Sequence, residues 1–188
     1  GLAVLGAHID SPRIDLKQNP LYESDNFAYL DTHYYGGIIK YQWVATPLAL
    51  YGVVVKKDGT VVDIAIGDDD NDPVVGITDL LPHLSGDKMT KPAAKVIEGE
   101  GLDVMIGSIP LQGEEKASAK ETIVKLLKEK YDIEEEDFLS AELEIVPAGK
   151  ARDMGFDASM VMAYGQDDRV CAYTSLAAIL DTDEVDYT

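Results

Sequence analysis

Two runs of β-branched residues, separated by an Asp-Gly step, constrain the fold of this chain more than any other feature. The runs cover residues 53–55 and 61–66, and Asp58-Gly59 lies between them. Side chains branched at Cβ favour extended backbone, and Asp-Gly is a pair that tight hairpin turns prefer. This part of the chain therefore predicts an antiparallel hairpin.

Strands and helices are both predicted outside the hairpin, which places the chain in the α/β class. The apolar opening Leu2-Ala3-Val4-Leu5 predicts a buried strand, and a second short strand follows a polar corner and ends near residue 16. Ser118-x-x-Glu121 has the pattern of a capping box and predicts a helix. A second helix is predicted from about Asp168 to Leu180. Further strands are predicted at residues 101–109 and 141–146.

The chain is strongly acidic. It has 16 Lys and Arg against 35 Asp and Glu, a formal charge of −19 and a pI of about 4.3. Such a surface repels phosphates and anionic headgroups, so neither nucleic acid nor a membrane is an expected partner. No apolar run approaches the roughly 20 residues that span a bilayer. The single cysteine, Cys171, is expected in the core and suits a reducing compartment, so we predict a cytoplasmic protein.

Both ends of the sequence look like internal positions of a longer chain. There is no initiator Met and no signal peptide, and the chain opens inside an apolar run. It closes on an acidic stretch, residues 181–188, that leads to no further element. We expect a piece of a longer protein, and a small natural protein with short termini is the alternative.

His8 and Asp10 are candidate groups of a metal site. They follow the opening strand, and residues two apart on an extended chain point to the same side. A metal-binding imidazole needs its other ring nitrogen held by a carboxylate or a carbonyl, and Asp10 is placed to do this. The alternative is an ordinary structural hydrogen bond between the two side chains.

Asp167 and Asp168 form a second candidate, at the start of the predicted last helix. A carboxylate there is also explained by the helix dipole, which stabilises negative charge by about 0.3–1 kcal/mol. A metal site is indicated only when this acidic pair is considered together with His8, because one carboxylate could then bridge two ions.

Two other acidic runs have simpler explanations. The run Asp68-Asp69-Asp70-Asn71-Asp72 resembles a calcium loop, but Pro73 stands where such a loop needs Gly for a sharp turn. We expect a polar connection there. The run Glu134-Glu135-Glu136-Asp137 is expected to be a solvated helix end or turn.

Four segments in one order carry a family resemblance. They are His8-Ile9-Asp10-Ser11-Pro12, Tyr35-Gly36-Gly37 with Trp43 downstream, Leu81-Pro82-His83-Leu84, and Gln166-Asp167-Asp168-Arg169. Together they resemble motifs of the aspartyl aminopeptidase and vacuolar aminopeptidase I family, whose members are di-zinc metallopeptidases.

The resemblance implies a role for four residues. His8 would ligate one zinc ion. Asp10 would be a catalytic residue that orients the His8 ring. Asp168, rather than Asp167, would bridge both ions. His83 resembles a catalytic histidine that reaches the active site of a neighbouring subunit, which implies a homo-oligomer of dimers that assemble further; a turn histidine is the alternative. His33 matches no motif and is expected to be an ordinary surface residue.

The resemblance also implies a domain arrangement. Residues 1–19 and 151–188 would be two pieces of the α/β catalytic domain, and residues 20–150 an inserted β-rich dimerisation domain. The family places a Glu-Glu pair, an Asp and a His after the bridging aspartate, and this sequence ends before any of them. Residues 44–47 replace an Asp-Arg pair of some relatives, so the preference for acidic or neutral N-terminal residues stays open.

The implied reaction is removal of the N-terminal residue from peptide substrates with two zinc ions per complete site. Because three protein ligands usually hold a catalytic zinc, we expect the chain by itself to bind zinc weakly and to be inactive. One alternative is a non-enzymatic dimerisation or assembly fragment. Another is a carboxypeptidase or deacylase of the same di-zinc clan, which residues 35–43 and 81–84 disfavour.

Overall fold

A computed structural model describes residues 4–111, 113 and 118–183, and these form two compact units. The sheet unit comprises residues 13–149, and the terminal unit comprises residues 1–12 and 150–188. The sequence placed the divisions after residues 19 and 150. Residues 13–19 lie instead in the sheet unit, because a long strand begins at Arg13. No helix of the described residues is long and apolar enough to cross a membrane.

The sheet unit is built on an antiparallel sheet of six described strands, in the order β4-β3-β6-β1-β2-β5. Its core includes six fully buried aliphatic side chains: Ile14, Leu48, Val54, Leu102, Val104 and Ile145. The strands are β1 (Arg13–Ser24), β2 (Phe27–Tyr35), β3 (Leu48–Val55), β4 (Val61–Ile66), β5 (Val104–Gly107) and β6 (Ala141–Pro147).

The predicted hairpin is confirmed as β3 and β4. Leu50 lies opposite Ile66 and Val55 opposite Val61, so the whole of β4 pairs with β3. On its other side β3 pairs with β6, and Gly52 faces Leu143 across that ladder. The predicted strand at residues 101–109 is shorter than expected, since it is preceded by a turn of 3-10 helix at Gly99–Gly101.

Three α-helices lie in the described part of the sheet unit. The helix predicted from the capping box is confirmed: the Ser118 hydroxyl accepts a hydrogen bond from the Glu121 backbone N–H, and the Glu121 carboxylate accepts one from the Ser118 backbone N–H. This helix contacts β1, β2 and β5. It ends at Asp132, which has a left-handed backbone. The helices are α1 (Gly86–Met89), α2 (Ala93–Val96) and α3 (Ala119–Tyr131).

The terminal unit contains a hairpin and the second predicted helix. Strands β7 (Arg152–Met154) and β8 (Met160–Met162) pair antiparallel, and α4 (Gln166–Leu180) follows. The predicted buried opening strand is wrong for its described residues. Val4 and Leu5 lie outside any strand and are exposed, because no described strand offers them backbone hydrogen bonds. Leu2 and Ala3 lie outside the described residues.

Candidate metal centre

The imidazole of His8 lies between two carboxylates of the terminal unit. Its Nε2 is 2.9 Å from Asp10 Oδ1, and its Nδ1 is 2.7 Å from Asp168 Oδ2. The His8 side chain is 68% exposed, whereas that of Asp168 is only 17% exposed. The structure thus brings together three of the residues that the sequence singled out, at a partly open position.

The two ring nitrogens of a neutral imidazole have different chemistry. One donates a hydrogen bond to a carboxylate, and the other has a lone pair that can ligate a cation. Zinc prefers imidazole nitrogen and carboxylate oxygen, the groups that meet at His8 and Asp168. The donor chemistry of this position therefore fits zinc.

The described residues supply only part of a zinc site. Catalytic zinc usually has three protein ligands. Within residues 4–111, 113 and 118–183, no group of three or more His, Cys, Asp or Glu side chains is arranged to hold a metal ion. His8 and Asp168 would be two ligands, and Asp10 would hold the second ring nitrogen of His8.

The backbone at the acidic pair departs from the helix that follows. Asp167 and Asp168 have non-helical dihedral angles, and the peptide bond between them is cis. Gly165 precedes the helix with a φ of +80°, a conformation that residues with a Cβ rarely adopt. At this turn the Asp168 carboxylate lies against the His8 imidazole.

Two side-chain hydrogen bonds connect residues 8–12 to residues near this turn. The Ser11 hydroxyl donates to the backbone carbonyl of Asp167 at 2.9 Å. The Tyr164 hydroxyl donates to the backbone carbonyl of Pro12 at 2.6 Å. Sequence reasoning quoted Ser11 only as part of a motif and gave Tyr164 no role, since no local pattern marks a hydrogen bond between residues so far apart in sequence.

The prediction that Cys171 belongs to the core is wrong. Cys171 is exposed on α4. Its thiol forms a hydrogen bond with Asp168, and that bond together with the negative charges of Asp168 and Asp167 raises the pKa of the thiol above its usual range. The sequence misled because the apolar residues of α4, such as Val170 and Leu176, are themselves exposed in the described structure.

His83 and His33 belong to the sheet unit, whereas His8, Asp10 and Asp168 belong to the terminal unit. His83 is exposed on a 3-10 turn, Pro82–Leu84, whose Leu81 and Leu84 neighbours are also exposed. His33 is exposed on β2, as expected for a surface residue. The role of His83 stays a prediction.

Comparison with known proteins gives one consistent family. A sequence profile of the aminopeptidase I zinc metalloprotease family (M18) matches residues 1–187. A probable M18 family aminopeptidase 1 from Clostridium acetobutylicum is 68% identical over 182 residues, which are 96% of this chain and 39% of the relative. The chain thus spans about two-fifths of the length of the curated relatives that it matches.

Solved structures agree with the sequence match. An M18 aminopeptidase from Thermotoga maritima superposes with a TM-score of 0.87 at 52% identity, over 94% of this chain and 39% of that one. Aminopeptidase I from Clostridium acetobutylicum gives 0.85 at 66% identity, over 95% and 39%. A dodecameric yeast structure at 16% identity and a TM-score of 0.61, over 95% and 39%, shows the fold alone. These structures confirm the predicted α/β class. The chain belongs to the M18 aminopeptidase family of zinc metalloproteases.

Proposed function

We propose that the protein carrying this chain is a zinc-dependent aminopeptidase that removes the N-terminal residue from peptides. The observation that carries the proposal is the His8 imidazole held between Asp10 and Asp168. Membership of the M18 family supports the reaction class. Whether acidic or neutral N-terminal residues are preferred stays open.

Each of the three side chains has a distinct part in this proposal. His8 would bind one of two zinc ions through a ring nitrogen, and Asp10 would accept a hydrogen bond from the N–H of the other ring nitrogen and so fix the tautomer. Asp168 would contribute a carboxylate shared by both ions, whose negative charge would offset their mutual repulsion. Zinc, when bound, would supply a Lewis acid that polarises the scissile carbonyl and lowers the pKa of a coordinated water.

We propose that the natural protein is a homo-oligomer built from dimers, in which His83 contributes to a neighbouring subunit's site. The exposed apolar neighbours Leu81 and Leu84 support an interface at this position. Light scattering tests the proposal: a stable oligomer that Leu84→Asp dissociates supports it, and a monomeric wild-type protein contradicts it.

Metal content and peptide hydrolysis test the enzymatic proposal. We expect the natural protein to contain zinc, to release N-terminal residues from short peptides, to lose this activity with a chelator and to regain it with zinc. His8→Ala should remove both zinc and activity, while His33→Ala, the change of an exposed histidine on β2, should alter neither. A zinc-free protein with full activity, or equal effects of the two substitutions, would contradict the proposal.

The 188-residue chain alone is proposed to be inactive and cytoplasmic in origin. Its described residues provide at most two ligands of a catalytic zinc, which usually has three. If the isolated chain formed dimers but had no activity, the alternative function, that of an assembly fragment, would be favoured. The large sheet unit is the observation behind that alternative.

A further inference from the structure

Burial does not explain how His8 is held against Asp168. The segment from Val4 to Pro12 has no helix or strand, and the His8 side chain is 68% exposed. A chain in this state samples many conformations unless specific bonds restrict it. The position of His8 therefore depends on the contacts that the rest of its segment makes.

Two described hydrogen bonds restrict this segment on the side that follows His8. Ser11, three residues after His8, donates to the carbonyl of Asp167, the residue immediately before Asp168. Pro12 accepts a hydrogen bond from Tyr164, just before the turn at Gly165. The two bonds thus fix the His8 segment against the turn that presents Asp168.

Gly165 shows how closely these groups approach. A Cβ placed on Gly165 would lie 3.4 Å from Ser11 Oγ and 3.5 Å from the Arg169 guanidinium carbon. Ser11 is therefore packed against the turn itself as well as bonded to it.

We propose that Ser11 is a positioning residue of the metal site, with Tyr164 as a second and independent support; the inference rests on the proposed function. Both hydroxyls donate to backbone carbonyls, so neither contributes charge or a ligand atom. Their effect is to hold the His8 and Asp168 side chains next to each other before a metal binds. Without one hydroxyl, more free energy is needed to order His8 and Asp168, so metal affinity falls. The atoms that ligate the metal stay the same.

Cobalt(II) titration of the natural protein tests this inference, because cobalt replaces zinc and its visible absorption reports ligand geometry. We expect Ser11→Ala to weaken cobalt binding by about fivefold, as for the loss of one hydrogen bond, and to shift the absorption band. Ser11→Thr, which keeps the hydroxyl, should restore both. Tyr164→Phe should weaken binding in the same way.

Matched controls are available in the same unit. Among the described residues Ser159 bonds to its near neighbour Asp157, and Tyr173 is exposed on α4, so Ser159→Ala and Tyr173→Phe should leave cobalt binding unchanged. If Ser11→Ala bound cobalt with the affinity and absorption spectrum of the wild-type protein, the positioning role would be overturned and the proposed function would stand. Failure of the wild-type protein to bind cobalt would instead overturn the proposed function, and this inference with it.

Discussion

At the scale of single residues, the proposed zinc site is defined by the two carboxylates that contact His8. Asp10 is two residues away on the same segment, and Asp168 lies in the non-helical first turn of α4. The adjacent Asp167 instead meets Ser11 through its backbone carbonyl. The pair Asp167–Asp168 therefore offers a test in which two neighbouring carboxylates have different expected roles.

We predict that Asp168→Asn weakens zinc binding of the natural protein by at least about tenfold, because the amide loses the charge that zinc requires. Asp167→Asn is the matched control and should have a smaller effect. Competition with a chromogenic chelator gives both affinities. A larger loss in Asp167→Asn would assign the ligand to the first residue of the pair.

A second prediction at this scale concerns Asp132, which ends α3. The ammonium groups of Lys128, 2.6 Å away, and Lys56, 2.5 Å away, lower the pKa of this carboxyl to about 2. Because an unfolded Asp has a pKa of about 3.9, the stabilisation is present above about pH 4 and is lost as the pH falls towards 2.

Carbon-13 NMR of the Asp132 carboxyl should show this low transition. Asp132→Asn keeps a residue that tolerates the left-handed backbone but removes the charge, so stability should depend less on pH between about 2 and 4. A carboxyl that titrates near 4 in the folded protein would contradict the two ion pairs.

At the scale of elements, local signals predicted local structure. The β3–β4 hairpin follows from β-branched residues around an Asp-Gly turn, and α3 follows from its capping box. Contacts between distant residues escaped prediction: Ser11 meets Asp167 and Tyr164 meets Pro12 through no sequence periodicity. The failures at Val4, Leu5 and Cys171 share one cause, since an apolar pattern predicts burial but does not supply the surface that covers it.

Gly52 is an element-scale constraint on the sheet. It lies in β3 with a φ of +141°, and a Cβ there would stand 2.0 Å from the backbone carbonyl oxygen of Glu142 on β6. We predict that Gly52→Ala destabilises the protein by about 1–3 kcal/mol or more, because the strands must move apart. Gly86→Ala, with no atom near its Cβ, should stay within about 0.5 kcal/mol. Urea denaturation compares them, and equal stabilities would refute the close approach.

The capping box of α3 gives another prediction. Ser118→Ala should lower the free energy of unfolding by about 1 kcal/mol, because the Glu121 backbone N–H loses its acceptor. Ser108→Ala, in the exposed loop after β5, serves as the control and should have little effect. Matching unfolding midpoints for the two variants would show that the cap contributes nothing.

At the scale of the whole molecule, the chain unites a sheet unit with a terminal unit that holds the three candidate residues. Helix α4 of the terminal unit exposes Val170, Leu176 and Leu180. Apolar residues around a helix are usually covered by other protein. The chain spans about two-fifths of the length of its curated relatives.

The central test of the proposed enzyme is its zinc-dependent aminopeptidase activity, compared between the natural protein and the isolated 188-residue chain. We expect the natural protein to release N-terminal residues from peptides only with zinc bound. We expect the isolated chain to bind zinc weakly and to hydrolyse nothing, because the described residues lack a third ligand. Stoichiometric zinc with peptide turnover by the isolated chain, or a natural protein inactive with zinc, would contradict the proposed function.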